Sequence, residues 1–210
     1  MSEKIRIAVL VSGGGTNLQA LINAQKSGVI RSGEIVLVVS NNPDAYALKR
    51  AENEGIATAV CVKKGVPQAD FEEKLISLLE ENGIQLIILA GFMCILSEAF
   101  TSRYPKRIIN VHPSLIPSFC GKGFYGLHVH EAALARGVMV TGATVHFVDD
   151  GNDTGPIILQ QPVMIEQGDT PEVLQKRVME QAEWIILPKA ISLIAQGRVS
   201  VVDGKVVIAD

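Results

Sequence analysis

Between residues 5 and 111 the chain keeps changing its hydrophobic period. Short apolar runs occupy Ile5 to Val11, Ile35 to Ser40, Ala57 to Cys61, Gln85 to Ala90 and Ile108 to Val111. Each is too short for a typical helix and too apolar for a half-solvated strand. The segments between them carry apolar residues at helical spacing: Leu18 to Lys26, with Leu18, Leu21 and Ile22 on one face, then Asp44 to Glu54, then Pro67 to Asn82. A strand that is apolar along its whole length must be covered on both faces, and helices placed between successive strands provide that cover. The pattern therefore predicts an α/β fold with an open, mainly parallel twisted sheet and flanking helices. Asp44 is the expected N-cap of the second helix, and Gly55 and Gly83 are expected to end the second and third.

After Val111 the pattern changes. A Pro/Gly-rich loop runs to about Gly126, and a short helix reaches Arg136. Val138 to Val148 and Pro156 to Ile165 predict two long strands in an antiparallel pair. Thr170-Pro171-Glu172 has the cap residue, the N1 proline and the acidic first turn of a helix start. That helix is expected to run to Ala195 with a kink at Pro188. Asp203-Gly204 centres a small hairpin over residues 199–208. With 210 residues and 48% hydrophobic composition, a single domain over 1–210 is the expectation.

The net charge of −3 comes without a basic block, which argues against a nucleic-acid partner. No apolar run approaches the roughly 18 residues of a membrane span. Cys61, Cys94 and Cys120 are widely spaced with no CxxC. Reduced thiols and a cytoplasmic location are the simplest expectation.

Gly13, Gly14 and Gly15, followed by Thr16 and Asn17, sit between a strand and a helix, where backbone N–H groups and the helix dipole hold a phosphate. The spacing is neither GxxxxGK[ST] nor GxGxxG with a later acidic residue, so a phosphomonoester fits better than a nucleoside triphosphate or dinucleotide. The competing reading is a tight turn that needs only positive φ. Ligands of open α/β sheets bind beyond the carboxyl ends of the strands. The loops at residues 13–17, 91–96 and 110–114 all follow such ends and are expected to converge.

The chemical groups lie in Asn110-Val111-His112-Pro113-Ser114 and in Asp153 of Asp153-Thr154-Gly155-Pro156. Amide, imidazole and carboxylate can hold an oxyanion, move a proton and orient the proton carrier. In an extended segment Asn110 and His112 face the same side. All four histidines (His112, His128, His130, His146) fall in this stretch and the one after it. His128 and His130 start a helix, where residues two apart diverge, so no metal site is expected. His146, in an apolar strand, reads as a packed, hydrogen-bonded histidine.

Six segments together resemble the phosphoribosylglycinamide formyltransferases, the folate-dependent GAR transformylases of purine synthesis. They are Ser12 to Ala20, Ser40-Asn41, Ala90 to Met93, Asn110 to Pro117, Gly142 to Val148 and Asp153 to Ile158. The resemblance runs from about Ile5 to the last helix and implies a Rossmann-like formyltransferase fold, phosphate-binding in its N-terminal half and folate-binding and catalytic in its C-terminal half. It implies direct transfer of a formyl group from 10-formyltetrahydrofolate, a co-substrate, to the amine of glycinamide ribonucleotide (GAR). Asn110 would hold the developing oxyanion, His112 would help hold that charge and shuttle a proton, and Asp153 would pair with His112. Gly13, Gly14, Gly15, Thr16 and Asn17 would take the GAR phosphate, and Glu183 would contact GAR. Phe92, Met93, Cys94, Ile95 and Leu96, with Val148, Asp149 and Asp150, would line the folate slot. Relatives often carry arginine where this chain has Cys94. No metal is implied, and the protein would be a monomer or homodimer. Three alternatives share parts of this pattern, one of them a methionyl-tRNA formyltransferase, which has the same catalytic trio but would need a further C-terminal domain and a basic surface for RNA. A formyltetrahydrofolate hydrolase has the same catalytic trio and usually an added N-terminal regulatory domain, and a non-catalytic phosphosugar-binding protein would bind without turnover.

Overall fold

The computed structural model describes residues 4–209. From Ile7 to Val11 every residue of β1 (Ile5–Val11) is fully buried, as an apolar strand covered on both faces requires. β1 pairs in parallel with β2 (Gly33–Ser40) on one side and with β4 (Leu86–Leu89) on the other, and β2 pairs in parallel with β3 (Ala57–Val60). The main sheet has seven strands in the order β3-β2-β1-β4-β5-β6-β7, with β5 at Ile108–His112, β6 at Val140–Phe147 and β7 at Ile157–Met164. β6 and β7 are antiparallel, as their turn predicted. The chain divides within β5 into two compact units, one ending at Ile109 and one beginning at Asn110.

In the first unit, α1 (Thr16–Lys26) buries Leu18, Leu21 and Ile22, the predicted face. α2 (Tyr46–Asn53) buries Ala47, Leu48 and Ala51, and α3 (Gln68–Glu81) buries Phe71, Leu75 and Leu79. Asp44 is not the cap of α2. The Asn42 side chain accepts from the Asp44 N–H at 3.1 Å and closes a turn there, so the helix starts later, with Ala45 in the cap position. A short helix, α4 (Glu98–Arg103), was not apparent from the sequence. Ser97 caps it, its hydroxyl accepting from the Phe100 N–H at 3.3 Å.

In the second unit, α5 spans Leu127–Arg136, and Gly137 ends it in the left-handed conformation. Thr170 caps α6 (Pro171–Val178) as predicted, accepting from the Val173 N–H. The expected kink at Pro188 takes another form: one π turn (Met179–Glu183) precedes α7 (Trp184–Ala195), and Pro188 lies buried inside α7. The reason is in the spacing of the buried residues. Leu174, Val178, Ala182, Ile186 and Ala190 recur every four residues. On a regular helix that stripe drifts by about 40° per step. A single wider turn takes back part of the drift and keeps the stripe on the core. β8 (Val199–Val202) and β9 (Lys205–Ile208) form the terminal hairpin about Asp203-Gly204, both with positive φ, as a type I′ turn requires. No helix among the described residues is long and apolar enough to cross a membrane.

Candidate active site

Two loops of the first unit leave the carboxyl ends of β1 and β4, the adjacent strands at which the chain order reverses. Such a switch point is where an open α/β sheet forms a crevice. The glycine loop leaves β1. Gly15 has φ +73°, and a Cβ there would stand 2.6 Å from the Ala47 Cβ. It is therefore glycine for reasons of fold alone. Gly13 and Gly14 differ, because neither has a left-handed φ and a Cβ on either would meet nothing within 4 Å. Both are exposed. The fold does not require glycine at these two positions, whereas a ligand approaching the backbone would.

The second loop, Gly91 to Leu96, is pinned at several points. The Met93 N–H donates to the Ser12 hydroxyl at 2.8 Å, joining it to the glycine loop, and the Asn41 amide donates to Cys94 Sγ at 2.9 Å. Beyond it, the buried carboxylate of Glu72 accepts from the Ser97 N–H at 2.6 Å and the Ser97 hydroxyl at 2.5 Å. Met93 and Ile95 are 56% and 77% exposed, whereas Leu96 faces the core. Exposed apolar side chains on a tied-down loop suit a flat aromatic ligand.

In the second unit, Asn110 and His112 stand two apart on β5. Asp153 is brought to them by the turn between β6 and β7, with φ +61°. Its Oδ2 lies 3.6 Å from His112 Nδ1 and accepts from the Gly121 N–H at 3.0 Å. Its Oδ1 lies 3.5 Å from Nε2 of His146. His146 Nδ1 donates to the Phe147 carbonyl at 2.8 Å, so Nε2 carries the lone pair in the neutral ring. That nitrogen faces the Asn110 amide at 3.3 Å. His146 is packed and hydrogen-bonded, as its apolar strand predicted, and it also joins the amide to the carboxylate. The pairing of β6 with β7 slips by one residue at His146, a bulge of the kind that re-aims side chains beside active sites. The sequence carries no signal for that slip.

The neutral tautomer of His112 is fixed in the same way. Its Nε2 donates to the Phe119 carbonyl at 2.8 Å, leaving the Nδ1 lone pair toward Asp153. Burial pushes the His112 imidazole below its ordinary value; the Phe119 carbonyl and the Asp153 charge oppose this, and His146 adds to the lowering. Burial alone would raise the Asp153 carboxyl. The hydrogen bond that His146 donates when its ring is protonated, the Gly121 amide, and the charges the two imidazoles carry in their protonated forms hold it below the usual range instead. At neutral pH the site thus contains a neutral base beside a carboxylate.

The turn holding Asp153 is built tightly. Asp149 accepts from the Gly151 N–H at 3.1 Å and the Thr154 hydroxyl at 2.8 Å, so its carboxylate is used within the turn. A Cβ on Gly155 would stand 1.9 Å from the Phe147 carbonyl oxygen. Val148 is half-buried and Asp150 exposed. His128 and His130 diverge as predicted. His128 is exposed and meets Glu131 at 2.9 Å, while His130 is fully buried, and burial with the nearby His112 charge lowers its pKa to about 4. Glu183 is buried, 5% exposed, at the end of the π turn.

The family model for formyl transferases matches residues 5–191. A phosphoribosylglycinamide formyltransferase of Escherichia coli (strain K12) is 42% identical over 195 residues, covering 92% of this chain and 89% of that one. The chain belongs to the formyl transferase family, on its phosphoribosylglycinamide formyltransferase branch. It is also 45% identical over 201 residues to the trifunctional purine biosynthetic protein adenosine-3 of Gallus gallus, covering 95% of this chain. It spans 19% of the length of that protein. The crystal structure of glycinamide ribonucleotide transformylase 1 from Symbiobacterium toebii superposes with a TM-score of 0.93 at 40% identity, covering 100% of this chain and 96% of that one.

Proposed function

We propose that this chain transfers the formyl group of 10-formyltetrahydrofolate to the amine of GAR, giving formyl-GAR and tetrahydrofolate in de novo purine biosynthesis in the cytoplasm. The observation that carries the reading is the carboxylate of Asp153, 3.6 Å from His112 and 3.5 Å from His146, with the Asn110 amide on the second imidazole. Residues 1–210 act as one formyltransferase domain, whose first unit binds the ribonucleotide phosphate and whose second carries the chemistry.

The GAR amine attacks the formyl carbon, forming the C–N bond as the carbonyl π pair moves onto oxygen. While one N–H of Asn110 faces Nε2 of His146, the other donates to that oxyanion. The proton leaving the amine passes, directly or through water, to the Nδ1 lone pair of His112, where the Asp153 carboxylate stabilises the cation. The intermediate then collapses, breaking the bond from carbon to the folate nitrogen, which takes up the proton. This route requires no covalent enzyme intermediate, consistent with the absence of an activated Ser or Cys in the group.

The phosphate of GAR sits on Gly13, Gly14, Gly15, Thr16 and Asn17, and Glu183 meets its ribose. The pterin lies against the loop from Phe92 to Leu96, with Val148 to Asp150 reading its edge.

The test is absorbance of released tetrahydrofolate with purified protein and a 10-formyl folate, with and without GAR. Release only with GAR supports the transferase. Release without it makes the chain a hydrolase, and folate binding without release in either case points to a different formyl acceptor or a non-catalytic binder.

A further inference from the structure

α2 does more than cover the glycine loop, since it grips two successive peptide groups of it. The Ala47 N–H donates to the Gly13 carbonyl at 3.0 Å. One helical turn on, Arg50 Nε donates to the Gly14 carbonyl at 2.8 Å. The same guanidinium donates through Nη1 to the Gln19 side chain of α1 at 3.0 Å and lies 5.0 Å over the ring of Tyr46. The fork thus spans the glycine loop, α1 and α2, held flat by an aromatic face.

The consequence follows from peptide geometry. In a planar trans peptide the C=O and the following N–H point in opposite directions. Drawing the Gly13 carbonyl toward α2 turns the Gly14 N–H away from it. Drawing the Gly14 carbonyl toward Arg50 does the same to the Gly15 N–H. Two consecutive donors are thereby presented together on the side of the loop opposite α2, a small anion-binding concavity. The absence of side chains on Gly13 and Gly14 leaves that side uncovered.

From these contacts we infer that Arg50 is a positioning residue for the ribonucleotide phosphate. It acts through the Gly14 carbonyl from behind the loop and sets the direction of the N–H groups that hold the anion. Charge is the smaller part of its role, and the fork is the larger. Lysine in its place keeps the charge but presents a single point donor, which cannot hold the Gly14 carbonyl and Gln19 in one plane.

The inference rests on the reading of the glycine loop as the GAR phosphate site, and the experiment separates the two. Wild type, Arg50→Lys and Arg50→Ala are assayed over a matrix of GAR and 10-formyl folate concentrations. Their thermal midpoints are measured with and without ribose 5-phosphate. The KM for GAR is expected to rise about 10–100-fold in Arg50→Ala, the scale of one lost hydrogen bond to a charged group. Arg50→Lys is expected to show most of that rise. The KM for folate and kcat at saturation should change less than about twofold, and ribose 5-phosphate should lose its protective effect in both variants. An Arg50→Lys enzyme equal to wild type would reduce the residue to a charge and overturn the inference, as would an unchanged KM in Arg50→Ala. Equal losses in both substrates would mean general damage and overturn it too. Should Arg50→Ala not fold, Arg50→Lys and Gln19→Ala carry the same comparison. If wild type shows no protection by ribose 5-phosphate and no saturation by GAR, the phosphate reading fails together with the inference.

Discussion

The three glycines of the loop separate two roles that the sequence alone leaves merged, and alanine at each position tests the separation. At Gly15, alanine must adopt φ +73° and ψ 36°, which costs a side-chain-bearing residue about 1–2 kcal/mol. Its Cβ would also stand 2.6 Å from the Ala47 Cβ and 2.9 Å from the Ala47 Cα, contacts that force the loop off α2. Overpacking of that kind costs about 1–3 kcal/mol. The sum, about 2–5 kcal/mol, corresponds to a drop in Tm of about 4–20 °C for a chain of this size. The displacement also loosens the carbonyl contacts that orient the loop, so the KM for GAR should rise more than that for folate. At Gly13 and Gly14 no such cost arises, and stability should change by less than about 0.5 kcal/mol. If phosphate oxygens approach these two backbones, however, the KM for GAR should still rise about 10–100-fold. The assay is differential scanning calorimetry alongside steady-state kinetics on all three variants. Unchanged KM values in Gly13→Ala and Gly14→Ala would refute the ligand argument. A Gly15→Ala protein as stable as wild type would refute the close approach of the loop to α2.

Other outcomes follow from the second unit. Asn110→Ala should lower kcat by about 10²–10³, the usual consequence of losing an oxyanion donor; single-turnover rates would show it, and near-normal turnover would remove Asn110 from the chemistry. His112→Ala and Asp153→Asn should each be severe yet far from additive in combination, because base and carboxylate act as one unit. The acid limb of kcat/KM should fall below the ordinary histidine range, and Asp153→Asn should move it lower still, since the lost carboxylate was raising His112; a limb moving upward would contradict this assignment. His130 couples folding to pH. Its folded pKa of about 4 lies below the ordinary 6.5, so the folded chain resists its protonation. That stability is fully present above pH 6.5 and is lost as pH falls toward 4, by about 3 kcal/mol. Urea midpoints should follow this slope in wild type and flatten in His130→Phe.

Much of the fold was legible because it rests on local repetition. Apolar runs of strand length between amphipathic helices left few options, and Thr170-Pro171 and Asp203-Gly204 mark their elements through side-chain and φ requirements that operate within a few residues. Misreadings arose where a competing local bond or a packing demand decided. Asn42 closed a turn that displaced the cap from Asp44, and a four-residue apolar stripe placed the helix irregularity at 179–183 rather than at Pro188. In the site, Asn110 and His112 could be paired from spacing on one strand. The approach of Asp153 and the second role of His146 depend on a turn and a register slip more than 30 residues away, as the separations of 32 and 36 residues in the Gly121–Asp153 and Asn110–His146 contacts show. Arg50 was not legible either, because the Gly14 carbonyl it holds is a main-chain group that no residue type encodes and its side-chain partner Gln19 lies 31 residues away.

The loop after Pro117 holds His112 through the Phe119 carbonyl and Asp153 through the Gly121 amide. Both contacts are made by backbone, so the side chains of that loop are largely invisible to the groups they steady. What those groups sense is the path and the count of residues. Substitutions between 118 and 125 should thus be absorbed where the left-handed φ of Phe119, Gly121 and Gly123 is kept, while removing a single residue would shift the carbonyl and the amide out of step with their partners. For anyone redesigning this protein, the loop can be rewritten in composition but not readily shortened.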